Sequence, residues 1–85
     1  MADTARLIGY DARYKATIRF IDSELDNYSA ARIYARYEQV LRAAAEAFGT
    51  QSADYRAVRD AWDYIFPAGE YSRANLAAAM VHVNT

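Results

Sequence analysis

Chemistry in this chain has to come from carboxylates, arginines and tyrosines, because its 85 residues include no cysteine and one histidine. Without cysteine there is no disulfide, thiol nucleophile or thiolate metal site, a composition compatible with a reducing compartment. His82 stands three residues from the last position. A single histidine makes neither a metal site nor a Ser-His-Asp relay without partners, and none stands at matching spacing. It is therefore expected to be structural or solvated. Asp60 and Asp63 lie one helical turn apart beside Trp62, the spacing at which two acids could cooperate. Arg56 and Arg59 are equally close, so a solvated face of ion pairs is the preferred reading. A glycosidase or di-metal centre would need further carboxylates or a histidine at E-x-x-H spacing, which is absent. The glycines at positions 9, 49 and 69 are scattered and form no phosphate-cradling loop. The expectation is a protein that is not an enzyme, with no catalytic residues, no cofactor and no metal.

Arginine and tyrosine carry the remaining signal. Nine of the ten basic residues are Arg and eight residues are Tyr, the types enriched at protein interfaces. Tyr28, Arg32, Arg36 and Gln39 recur about one turn apart. Arg6, Tyr10, Arg13 and Thr17 make a similar ridge nearer the N-terminus. Arginine beside tyrosine can stack, fork onto carboxylates or phosphates, and anchor an interface. Against phosphate tracking stand a net charge of −1 and a single Lys, with Asp3, Asp22, Asp26 and Glu38 nearby; phosphate binders show an excess of positive charge. Solvated ion pairs on helix surfaces are the plain alternative for each Arg. Asn27-Tyr28-Ser29 matches a glycosylation acceptor, but the pattern is short and MADTARLIGYDAR lacks the basic-then-apolar order of a signal peptide.

The elements that must position these residues are helical. Residues 28–48 contain no Gly or Pro and are rich in good helix formers, with apolar positions from Ala30 to Phe48 at helical spacing. The spacing predicts one unbroken helix ending at Gly49, and it is the stretch around which the chain is organised. Before it, Leu7, Tyr14 and Ile21 interleave with Asp11, Ile18 and Leu25 as one stripe of a first helix that starts near Asp3 or Thr4. Gly9 marks a close crossing or a frayed first turn, and Phe20 and Tyr10 widen the apolar face. Asp11 is the polar member of the stripe, with an Arg or a Tyr hydroxyl from a neighbouring helix as its expected partner. Asp26 or Asn27 would cap the second helix. Ser52 caps a third helix from Ala53 towards Phe66, stopped by Pro67. Ser72 caps a short last helix whose Leu76, Ala79, Met80 and Val83 face inward.

A chain of this size forms one domain, residues 1–85, with a thin core. The predicted fold is all-α: a small antiparallel bundle of three to four helices built on a long helical hairpin. Short connections make neighbouring helices antiparallel. No apolar run reaches the ~20 residues of a membrane span, so no membrane partner is expected and the default location is cytoplasmic. The apolar and aromatic positions exceed what so thin a core encloses, which marks a contact surface. The functional expectation is a non-enzymatic helical protein-interaction module, an adaptor, inhibitor or self-assembling subunit. It would bind another protein, or itself as a homodimer, through Tyr28, Arg32, Arg36, Gln39, Arg6, Tyr10 and Arg13. A small nucleic-acid or nucleotide binder using the clustered Arg of the first two helices is the second reading.

Overall fold

The computed structural model describes the backbone of residues 2–85 and the side chains from Gly9 onward. Helices α1 (Ala2–Leu25), α2 (Ala30–Ala35), α3 (Tyr37–Phe48), α4 (Ala53–Ile65) and α5 (Arg73–Val83) are joined by short turns, one of them a 3₁₀ turn at Pro67–Gly69. No strand occurs among the described residues, and the fold is the expected small all-α bundle. No helix among the described residues is long and apolar enough to cross a membrane.

Local chemistry sets most boundaries. The Tyr55 amide donates to Ser52 Oγ at 3.1 Å and the Asn75 amide to Ser72 Oγ at 3.2 Å, so α4 and α5 begin where the cap residues stand. Gly49 ends α3 at φ +82°, open to residues without a Cβ penalty. Pro67 ends α4, and the Ser72 amide folds back onto Ile65 O at 2.8 Å. The cap of the second arm differs from expectation. It is Ser29, whose Oγ accepts from the Arg32 amide at 3.3 Å, rather than Asp26 or Asn27. Residues 26–28 instead close α1: the Asn27 and Tyr28 amides both donate to Glu24 O, at 3.0 and 2.9 Å.

The 28–48 stretch is not one helix. It breaks at Arg36, whose amide donates to Ile33 O at 3.1 Å, three residues back, at φ −82° and ψ −10°. The helical ladder resumes with the Val40 amide on Arg36 O. This single tightened turn has no Gly or Pro behind it; the cause is tertiary packing. Ile33 is fully buried, Tyr34 and Tyr37 stack at 5.9 Å, and each then meets a core ring, Phe66 at 5.6 Å and Trp62 at 5.6 Å. We call this break the elbow.

The α2–α3 arm and α1 form the expected hairpin. Glu24 meets Arg36 near one end and Arg13 lies over Phe48 near the other, which sets an antiparallel run. The most extensive packing of α1 is nevertheless with α4, which also contacts α3 and α5. Ile18 and Ile21 from α1, Ile33 from α2, Trp62 and Ile65 from α4, and Leu76, Ala79 and Val83 from α5 supply the core. Fully burying each large side chain contributes about 1.5–3 kcal/mol. Ala47, one of the apolar positions of the 28–48 stretch, is exposed, and Met80, expected to face inward, is half-buried. Gly9 has open space around it, so it marks no close crossing. Leu7 and the Asp3 or Thr4 cap lie outside the described side chains.

Two predictions follow from the core and its turn. Trp62 is fully buried with its indole N–H unpartnered among the described residues. Trp62→Ala should cost about 3–5 kcal/mol in urea unfolding, whereas Trp62→Phe should cost only about 1–2, because losing ring volume is offset by losing an unsatisfied donor. At the 3₁₀ turn Ala68 has φ +55° and Gly69 has φ +81°. Ala68→Gly should stabilise and Gly69→Ala destabilise, each by about 1 kcal/mol, because only glycine occupies that region without a Cβ penalty.

Candidate functional site

The elbow gathers four of the residues singled out by spacing. Tyr28 precedes α2, Arg32 lies within it, Arg36 stands at the break and Gln39 opens α3. With Ala35 they line a hollow of about 490 Å³. The Arg32 guanidinium carbon sits over the Tyr28 ring, 4.9 Å from its centroid, a cation–π contact that restricts the guanidinium. Arg36 Nη1 meets Glu24 Oε2 at 3.2 Å, both side chains partly exposed. That pair ties the elbow to the C-terminal part of α1. It also means that the hollow holds one cation already matched by an acid and one, Arg32, with no acid in ion-pair range among the described residues.

The first-helix ridge does not join this hollow. Tyr10 donates to Asp60 Oδ2 at 2.6 Å, and Arg13 Nε lies 3.7 Å from Asp54 Oδ1 while the guanidinium covers Phe48 at 4.7 Å. Thr17 is buried and donates to Arg13 O at 2.9 Å. The side chains of α1 thus fasten it to α4 and α3. Arg6 lies outside the described side chains.

The acids considered for chemistry have partners of their own. Asp63 accepts from the Tyr37 hydroxyl and Asp60 from Tyr10. From this largely exposed face Asp60 links α4 to α1 and Asp63 links it to α3, and Arg59 pairs with Asp60 at 3.6 Å. Asp11 finds neither Arg nor Tyr: its oxygens take His82 Nε2 at 2.9 Å and Lys15 Nζ at 3.3 Å. His82 is thus a structural contact between α5 and α1, with Tyr14 edge-on at 6.1 Å. Sequence spacing could not pair positions 11 and 82; their polar character was the only available signal.

These contacts shift titrations. Burial, reinforced by the hydrogen bond to Asp60 and its charge, pushes the Tyr10 phenol up to about 12. Burial and Asp63 push Tyr37 up further. The hydrogen bond from His82, with help from Lys15, holds the Asp11 carboxyl below its usual range. The chain matches no family model, no curated protein and no solved structure in comparison.

Burial also raises the Tyr14 phenol, and the raised phenols, Tyr10 and Tyr37 foremost, set an alkaline limit. A folded-state value above the ordinary 10.0 means that stability is fully present below pH 10 and is lost as pH rises through about 12. Helicity followed by circular dichroism should decay over that window. Tyr10→Phe and Tyr37→Phe together should flatten the decay, though both variants start from lower stability at pH 7. Asp11 works in the opposite direction: its contribution is present above the ordinary carboxylate value and fades as pH falls below it.

Proposed function

We propose that this protein is a non-enzymatic helical interaction module, an adaptor, inhibitor or self-assembling subunit, that engages a protein partner at the elbow. The observation that carries this reading is the convergence of Tyr28, Arg32, Arg36 and Gln39 on one hollow. Arg and Tyr are the side chains that most often anchor interfaces, and they do so from concave, partly pre-ordered surroundings. Arg32 is pre-ordered by Tyr28 and Arg36 by Glu24, which lowers the entropy lost when a partner seats there. Tyr34 and Tyr71 are exposed aromatic rings elsewhere on the surface, beside Phe66.

A protein partner fits better than nucleic acid. Glu24 offsets Arg36, and the chain as a whole carries −1. A phosphate backbone needs several uncompensated cations, and its binding falls steeply between about 50 and 200 mM salt.

The test is capture from the native host with wild type and a Tyr28→Ala/Arg32→Ala double variant. Both substitutions leave the core and the Arg36–Glu24 pair in place, so helicity should be unchanged. Loss of a captured protein that wild type holds at 200 mM salt is the expected result. Equal capture by both chains overturns the assignment of the elbow. Capture that vanishes with modest salt and recovers nucleic acid moves the function to the second reading.

A further inference from the structure

The hairpin formed by α1 and α3 does not close along its length. Arg13 over Phe48 and Glu24 on Arg36 join the two segments at their ends. Between them runs a groove of about 390 Å³, walled by Ala16, Phe20, Val40, Ala43, Ala47 and Phe48. Its floor is Thr17, Ala44 and Val58, all buried. Short alanine side chains on both walls leave the space between the helices unfilled, while α4 holds them apart from below through Val58.

The lining is apolar with one exception. Thr17 Oγ1 is satisfied by Arg13 O at 2.9 Å, so the floor presents no unmet polar demand. The exception is the Arg13 guanidinium at one end. Its Nε faces Asp54 Oδ1 at a long 3.7 Å, and the side chain is nearly half exposed. A guanidinium has five N–H donors, so Asp54 at Nε leaves the terminal edge available for a bidentate carboxylate. An apolar trough of this volume with a single placed charge has the make-up of a small-molecule site.

We propose that this groove binds an aliphatic carboxylate of medium chain length, its tail along the alanine-lined trough and its head on the terminal nitrogens of Arg13. Length follows from the walls: Arg13 to Phe20 rises about 10 Å along α1, which suits a medium rather than a long chain. The sign of the head group follows from Arg13. No elbow residue takes part, so failure here leaves the proposed function standing.

The probes are octanoate, decanoate and dodecanoate below their micellar concentrations, with decanol and decylammonium as controls. Binding to the full chain is followed by amide chemical shifts and calorimetry. Saturable shifts should cluster at Ala16, Phe20, Ala43 and Ala47. Affinity should rise about two- to three-fold per methylene, less than the roughly four-fold of complete burial because the groove is open on one side. Arg13→Gln should weaken decanoate about ten-fold and leave decanol unchanged, and Arg13→Lys should restore much of the loss. Ala47→Phe, at an exposed position, should fill the trough and abolish binding of every probe while helicity persists. The proposal is overturned if decanoate and decylammonium bind alike, if Ala47→Phe binds as wild type does, or if no saturable shift occurs at the groove. It is equally overturned if sedimentation shows a dimer that Ala47→Phe dissolves, since the occupant is then a second copy of the chain.

Discussion

Trp62 has to be covered on every side, and that single requirement arranges the molecule. One indole is the largest fully buried side chain, and a bundle of this size has few helices with which to enclose it. α4 therefore lies in the middle, against α1, α3 and α5. Tyr37 and Phe66 close on the indole at 5.6 and 5.8 Å, and Tyr34 and Tyr71 in turn close on Phe66. The chain of rings runs from the core to the surface, so some aromatic exposure is a consequence of burying the indole with neighbours too large to be buried themselves. Tyr34 also crowds position 69, whose φ of +81° already favours glycine: a Cβ built there would meet the Tyr34 hydroxyl at 3.2 Å.

What was legible in the sequence is what local chemistry decides. The caps at Ser52 and Ser72, the stop at Pro67, the left-handed residue at Gly49 and the Ile18/Ile21 stripe all depend on residues within a turn or two of one another. The elbow was illegible for the complementary reason. Residues 28–48 are good helix formers throughout, and propensity favours continuing the helix at Arg36. The stack of Tyr34 on Tyr37, with each ring also reaching a partner near position 62 or 66, outweighs that preference. Neither partner can be inferred from the stretch itself. Ser29 as the cap has the same origin, since which of several polar residues caps a helix depends on where the previous helix lets go.

The same division runs through the candidate surface. Tyr28, Arg32, Arg36 and Gln39 are neighbours by helical spacing alone, so pattern was enough to group them. The Arg6–Thr17 ridge had the same pattern and a different outcome, because Asp54 and Asp60 on α4 reach Arg13 and Tyr10. An arginine or tyrosine ridge reads identically in sequence whether it faces solvent or an acid more than forty residues away. What a pattern cannot supply is the acid across the fold, which ties Arg13 and Tyr10 to α4 and leaves Arg13 only its terminal nitrogens for anything else.

Exposed ion pairs contribute little to stability, so the contacts at the two ends of the hairpin matter chiefly for position. Arg36 on Glu24 and Arg13 on Phe48 hold the arm alongside α1 without drawing its middle inward. A straight helix over residues 28–48 would set Tyr28, Arg32, Arg36 and Gln39 along a convex ridge, as residues three and four apart lie on any regular helix. The break turns that ridge into the wall of a hollow. Beyond it α3 stands off α1 across a row of alanines, while α2 is seated through the buried Ile33. Hollow and groove thus belong to one arm, the first at its tightened turn and the second along α3, where small side chains leave the space beside α1 unfilled.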